Sequence, residues 1–353
     1  MKTDLKDNLS FSCPLPIQDY PQVLLAHGSG GKLMQKLIDT MFIKTFSDQT
    51  IHDCHDAAVR DFGAGRLAMT TDSYVVSPLI FPGGDIGRLA VNGTINDLAM
   101  AGAKPLYLSV SLILEEGLSM QTLWQITRSI KDAADQAGVQ IITGDTKVVD
   151  KGKGDGVFIT TTGIGAIAPG IDIDPQQITP GCDIILSGDL ARHGMAIMAV
   201  REGLEFDSSI ESDTAPLADV VQDLLNSKIK IACLRDLTRG GLSSALNELA
   251  EASKCSFYID ESAIPVREDV SSACEMLGLD PLYVANEGRF VAFIDPADTE
   301  RCQAIMRKHE ASSEARRIGE TVAEPKGLVR LKSKIGAMRI LDMLSGDQLP
   351  RIC

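Results

Sequence analysis

No stretch of the sequence approaches the roughly eighteen consecutive apolar residues that a membrane-spanning helix needs, because Asp, Lys, Gly or Arg interrupts every hydrophobic run. The segment from Met1 to Pro21 likewise has no apolar core of signal-peptide type, so no export is expected. Eight cysteines, at 13, 54, 182, 233, 255, 274, 302 and 353, include no Cys-x-x-Cys pair, which argues against a zinc site or a disulfide framework. A reducing, cytoplasmic setting is the expectation. Basic residues are in short supply: 34 Lys and Arg face 48 Asp and Glu, a net charge of −14 that opposes non-specific attraction to nucleic acid or anionic membrane. Neither is an expected partner. The same acidic excess means that a site for a polyanion such as ATP needs metal ions, helix N-termini or local lysines to offset repulsion.

A chain of 353 residues with 44% hydrophobic content is long enough for two domains, each with its own core. Residues 1–22, with Pro14, Pro16 and Pro21, read as an irregular N-terminal leader. From Val23 to about 168 the pattern alternates strand-like runs (67–71, 106–114, 140–143, 157–167) with helical ones (89–101, 120–137). Ser119 stands where an N-cap belongs. A Pro- and Gly-bearing stretch, 169–181, precedes a second α+β domain reaching about 335. It reads as helices near 194–202, 215–227, 241–253 and 298–310, with strands near 183–187, 257–259, 283–285 and 290–294. Beyond Gly336 periodicity fades into a tail, 336–353, that reads as mobile.

The last residue is Cys353, in Pro350-Arg351-Ile352-Cys353. A cysteine at the end of an arm has no core to fill, so its sulfur chemistry is the stronger reason for its presence. His27-Gly28-Ser29-Gly30-Gly31-Lys32 opens a helical pattern and exposes backbone N–H groups in the manner of a phosphate loop, but it matches neither the Walker A nor the Gly-x-Gly-x-x-Gly spacing. A turn before a helix explains it equally well. Asp56, Asp72, Asp97, Asp145 and Asp236 each sit beside small or hydroxyl residues at element ends. Brought together they would repel one another unless Mg²⁺ lay between them, and Mg²⁺ prefers few carboxylates together with waters and substrate phosphates. Lys147 is a candidate point charge for a phosphate or oxyanion, and Glu287 a candidate general base. Spacing alone leaves a surface or capping role open for both.

Six strings resemble one family: Leu25-Ala26-His27-Gly28-Ser29-Gly30-Gly31-Lys32, Thr71-Asp72-Ser73-Tyr74, Phe81-Pro82-Gly83-Gly84-Asp85-Ile86-Gly87, Ile142-Thr143-Gly144-Asp145-Thr146-Lys147-Val148-Val149, Arg235-Asp236-Leu237-Thr238-Arg239-Gly240-Gly241 and the Pro-Arg-Ile-Cys ending. Over residues 23–353 the chain is similar to the HypE family of hydrogenase maturation factors, in the aminoimidazole-ribonucleotide-synthetase-like superfamily of ATP-dependent enzymes. The resemblance implies an α+β protein of two α/β-layered domains, residues 23–168 for ATP binding and dimerisation and 169–335 beyond, with a flexible tail. It implies that HypF transfers a carbamoyl group to Cys353, that ATP drives dehydration to a thiocyanate, and that the nitrile passes through a HypC–HypD complex to the iron of [NiFe]-hydrogenase. It further implies Asp56, Asp72, Asp97 and Asp236 as Mg²⁺ ligands, and His27, Gly28, Ser29, Gly30, Gly31, Lys32, Asn96, Asp145 and Thr146 around ATP. Lys147 and Glu287 would act at the thiocarboxamide, and a homodimer is expected.

The chain departs from that pattern at His55, where relatives often carry an acid, and its leader has no assignable counterpart. Two other readings stand beside it. A selenophosphate synthetase or purine-pathway ATPase of the same superfamily would need no terminal thiol, and the former's reactive residue near the glycine-rich loop has no match here. A non-catalytic nucleotide-binding carrier would have no use for Lys147, Glu287 and the acidic series.

Overall fold

The computed structural model describes residues 31–37, 39–40, 57–62, 65–204, 209–324, 327–344 and 351–353. The leader, His27 to Gly30, His55 and Asp56 lie outside the described residues. After a short helix α1 (Lys32–Leu37) come strands β1 (Ala58–Phe62), β2 (Gly65–Tyr74), β3 (Ile80–Phe81) and β4 (Gly84–Asp85), then helix α2 (Ile86–Met100). Strand β5 (Ala103–Glu115), helix α3 (Met120–Gln136), and strands β6 (Gln140–Val149) and β7 (Val157–Ile167) complete a five-stranded sheet of order β1-β2-β7-β5-β6. Only the β5–β6 pair is parallel, joined through α3.

Local sequence explains these elements. Strand β7 alternates buried and half-buried positions along its whole length, turning Val157, Ile159, Thr161 and Ile167 inward, as period-two patterning requires. Helix α3 is amphipathic: the Ser119 hydroxyl accepts a 3.0 Å bond from Thr122 N–H, and Ile126, Ile130, Ala133 and Ala134 form its buried stripe. Helix α2 is buried at thirteen positions, the polar Asn92, Thr94 and Asn96 among them, so it must be covered nearly all round. It starts where the Asp85 carboxylate accepts from the N–H groups of Gly87 and Arg88 at 2.7 and 3.1 Å. It packs on β2, β5, β7 and α3, and also against the second sheet.

That second sheet follows the chain through β8 (Asp183–Leu186), α4 (Arg192–Arg201), α5 (Ala218–Asn226), β9 (Ile231–Asp236), α6 (Gly241–Ser253), β10 (Ser256–Asp260) and α7 (Glu268–Leu277). Strand β11 (Phe290–Ile294), helix α8 (Thr299–Met306), and strands β12 (Arg316–Val322), β13 (Val329–Lys332) and β14 (Met338–Ile340) complete it, in the order β14-β13-β10-β12-β8-β11-β9. Strand β11 is buried on both faces. Phe290, Ala292 and Ile294 join the core around α2, while Val291 and Phe293 join a second core beneath α6. One continuous apolar layer therefore ties α2 to both sheets.

Several expected boundaries shift. The strand expected at 140–143 runs on to Val149, so Asp145, Thr146 and Lys147 lie within an exposed edge strand rather than after it. The strand expected at 283–285 is absent; Pro281–Tyr283 forms one 3₁₀ turn, consistent with the φ that proline fixes. The helix expected over 298–310 spans 299–306. Residues expected to be mobile after Gly336 include β14, which pairs with β13, and the buried Leu341 and Leu344.

Gly93, at the middle of α2, is fixed by a close approach. A Cβ there would stand 2.2 Å from the Tyr74 hydroxyl oxygen. Gly93→Ala is expected to cost about 1–3 kcal/mol through overpacking, read as a lower denaturation midpoint; an unchanged midpoint contradicts this account of the contact.

Candidate active site

A cavity of about 200 Å³ opens where the two sheets meet across α2. Strand β2 brings Asp72 and Tyr74 to it, α2 brings Gly93 and Asp97, and the end of β9 brings Arg235 and Asp236. Thr238 and Arg239 come from the turn before α6, Glu287 from the loop before β11, and Cys353 from the tail. Gly240 and Gly241 both take left-handed backbone, φ +77° and +60°, which turns the chain sharply between Arg239 and the helix. A Cβ on Gly241 would meet the carbonyl oxygens of Leu282 and Val284 at 2.7 Å.

The carboxylates are held by hydroxyls. Thr70 Oγ1 donates to Asp97 Oδ2 at 2.7 Å, and the Tyr74 hydroxyl donates to Asp72 Oδ2 at 3.1 Å. Burial, then the negative charges of Asp72 and Asp97, hold the Tyr74 phenol well above its ordinary range, so it remains a donor. Glu287 is fixed through its backbone. Asp213 accepts from the N–H groups of Glu287 and Gly288 at 3.3 and 3.2 Å, and the buried Asn286 side chain bonds Ala191 N–H and the carbonyls of Leu237 and Val284. The carboxyl itself is buried, and its Oε1 has no hydrogen-bond partner. Burial, then Asp236, Asp213 and Asp72, push it well above the ordinary carboxyl range, opposed by Arg239.

Cys353 is half-buried and lines the same cavity as Glu287. Burial, then Glu287, raises the thiol well above the usual range, and Arg239 pulls the other way. A nucleophilic cysteine needs its thiolate. This pocket disfavours it, and so suits a neutral group already attached to sulfur better than the act of attaching one.

Of the residues singled out from sequence, the structure brings together Asp72, Asp97, Asp236, Glu287 and Cys353. Others fall elsewhere. Asn96 does not line the cavity: its amide donates to Ala215 O at 3.0 Å and accepts from Leu217 N–H at 2.8 Å, tying α2 to the segment before α5. Asp145, Thr146 and Lys147 stand exposed on β6, with Lys147 Nζ 3.3 Å from Asp145. In the single chain Lys147 and Glu287 therefore do not share a pocket. Gly31 is buried, whereas Lys32 lines a separate cavity of about 740 Å³ beside α1 and α6. Among the described residues no three His, Cys, Asp or Glu side chains form a ready-made metal cluster, and no helix is long and apolar enough to cross a membrane. Sequence reasoning passed over Tyr74 and Arg239, although both lie inside the quoted strings.

Because folded Glu287 binds its proton more tightly than the unfolded chain does, its contribution to stability is full at low pH. It is lost as pH rises from the ordinary carboxyl value through the raised one. Glu287→Gln is expected to remove that slope and raise the melting temperature at pH 8 relative to pH 5. A pH–stability profile identical to the parent's contradicts the burial argument.

Two domain families cover most of the chain: "AIR synthase related protein, N-terminal domain" matches residues 54–167, and the corresponding C-terminal domain matches 179–332. The chain is 51% identical over 346 residues to the carbamoyl dehydratase HypE of Cupriavidus necator, covering 98% of each protein. It is 44% identical to the Escherichia coli K12 protein of that name, covering 94% of this chain and 99% of that one. A crystal structure of HypE in complex with ATP superposes with a TM-score of 0.80 at 44% identity, over 94% of this chain and 100% of that one. One of a HypE–HypF complex superposes with 0.82 at 42% identity, over 87% and 99%. Thiamine monophosphate kinase from Aquifex aeolicus, at 16% identity and TM-score 0.62 over 88% of this chain and 97% of that one, shares the fold.

Proposed function

The chain belongs to the HypE family of carbamoyl dehydratases, and on that premise we propose that its pocket dehydrates a carboxamide carried on its own Cys353. ATP drives the reaction, the product is a thiocyanate, and the nitrile supplies the cyanide ligands of the [NiFe]-hydrogenase iron. The observation that carries this reading is that the C-terminal Cys353 and the buried Glu287 line one cavity with three aspartates.

The chemistry follows from leaving groups. Amide oxygen departs poorly and phosphate departs well. The carboxamide oxygen takes the γ-phosphoryl group and ADP leaves; the C–O bond then breaks with both electrons going to phosphate. Across the two steps the nitrogen gives up two protons and S–C≡N remains. Glu287 Oε1, buried and without a partner, is the open acceptor for those N–H groups. Burial, which raises its pKa, makes it a stronger base than an ordinary carboxylate. Arg239, which lines the cavity beside Cys353, Asp72 and Glu287, keeps a positive charge next to the reacting group and donates to the oxygen.

Asp72, Asp97 and Asp236 line one cavity as separate carboxylates rather than a preformed cluster, and with Asp56, outside the described residues, they would supply the few carboxylate oxygens that Mg²⁺ takes beside waters and substrate phosphates. When bound, the ion neutralises charge on the triphosphate. The His27–Lys32 loop is proposed to contact that triphosphate. HypF is the proposed carbamoyl donor and HypC–HypD the proposed acceptor of the nitrile. The free thiols of the described chain suit the reducing cytoplasm.

A homodimer is also proposed, formed through the five-stranded sheet. Its edge strand β6 is exposed along nearly its whole length, and Met69, Tyr107, Ile113, Ile142 and Val148 are exposed with it. A second copy is then the route by which Asp145, Thr146 and Lys147 act near ATP and the thiocarboxamide. Light scattering is expected to give twice the chain mass, and Ile142→Asp half of that; a monomeric parent contradicts the dimer.

Carbamoylated protein given Mg-ATP is expected to lose one water from its C-terminal peptide by mass spectrometry. Cys353→Ala abolishes the change, and Glu287→Gln slows it by about 10²–10⁴-fold. Asp72→Asn and Asp236→Asn each weaken ATP turnover. An unchanged mass in fully carbamoylated parent contradicts the dehydratase reading; full turnover with both aspartates neutralised removes them from the metal site.

A further inference from the structure

The tail is held upstream of the cysteine as well as at it. The side chain of Ile352 is 4% exposed and belongs to the core around α2. Its carbonyl oxygen lies 2.8 Å from Nε2 of His193, a fully buried residue in the first turn of α4. The other ring nitrogen, Nδ1, lies 2.8 Å from Ser212 Oγ. A carbonyl oxygen can only accept, so in the neutral ring the imidazole proton sits on Nε2, facing the tail, and Nδ1 accepts from the Ser212 hydroxyl, whose oxygen in turn accepts from Thr214 N–H at 3.1 Å. Burial holds the ring below its ordinary pKa, so it is a neutral, oriented donor. Asp213, which fixes the backbone of Glu287, also accepts from His193 N–H at 3.1 Å. The Arg351 carbonyl accepts from the Arg201 guanidinium and, at 3.3 Å, from Ser77 N–H, while the Arg351 side chain pairs with Asp155 at 3.0 Å.

We propose that His193 is a positioning residue for the dehydration: its Nε2–H, set by Ser212, grips the peptide carbonyl that precedes Cys353 and so places the sulfur-bound group against Glu287 and Arg239. The grip is on backbone, one residue before the modified one. It is therefore the same for the thiol, the carboxamide and the thiocyanate, and it favours the inward tail without reading what the sulfur carries. Loading by a separate enzyme needs the tail outside, so loosening the grip affects the two half-reactions in opposite directions.

This inference rests on the dehydratase reading, and its test includes a measurement independent of it. In folded His193→Ala protein with no ATP, alkylation of Cys353 by iodoacetamide, followed on the C-terminal peptide, is expected to rise roughly three- to tenfold, the change that loss of one hydrogen bond produces. Carbamoyl transfer to Cys353 should be no slower than in the parent, single-turnover dehydration should fall by a similar factor or more, and His193→Gln, which keeps a donor, should recover part of both. Unchanged alkylation in folded His193→Ala overturns the grip whatever the enzyme's activity proves to be. Alkylation, carbamoyl transfer and dehydration all falling together overturns it too, since that marks a merely structural role. Faster alkylation with no dehydration even in the parent leaves the grip standing and overturns the dehydratase reading instead.

Discussion

A carboxyl group buried against other carboxyl groups is the constraint on which the rest depends. Glu287 is held among Asp236, Asp213 and Asp72 with one oxygen unpartnered, an arrangement that costs stability unless something is gained. The fold supports it rigidly. Asn286 and Asp213 bond the backbone on either side, and Gly288 lets the loop pass so close to Asp213 that a Cβ would stand 2.0 Å from its carbonyl oxygen. On the proposed function the gain is a base stronger than an ordinary carboxylate, placed where the tail ends.

The same environment divides the reaction between two places. A pocket that raises the Cys353 thiol is poor for making a thiolate, and loading requires a nucleophilic sulfur. Dehydration requires the reverse: a neutral sulfur-bound carboxamide, shielded from water, beside Glu287 and Arg239. On the proposed function one terminal segment would meet both demands by occupying the pocket, as Cys353 does here, and leaving it to be loaded. Its contacts at Ile352 and Arg351 are three hydrogen bonds to carbonyl oxygens, one partly exposed ion pair and one buried side chain, a set weak enough to exchange.

Much of this was legible in the sequence, for identifiable reasons. Strands 157–167 and 290–294 and helix 241–253 carry strong periodicity or clean start signals and stand where the pattern put them, and the helix expected at 120–137 ends one residue earlier, at Gln136. Asp72, Asp97, Asp236, Glu287 and Cys353 meet in one cavity although they are scattered over most of the chain. Other features were not legible. Strand β6 outruns its apolar run because the whole strand is exposed and has no burial pattern to read, which misplaced Asp145 to Lys147. Asn96 reads like a site residue and instead joins two elements, a role that only the partner segment reveals. His193 has no local signature, since its partners Ser212 and Ile352 lie 19 and 159 residues away.

The central claim is that the carboxamide oxygen on Cys353 attacks phosphorus. Carbamoylated protein whose carboxamide carries heavy oxygen, treated with Mg-ATP in ordinary water, tests it directly. The account predicts that the label appears in the inorganic phosphate, one atom per thiocyanate formed. Unlabelled phosphate, with the heavy oxygen released into water, would contradict it.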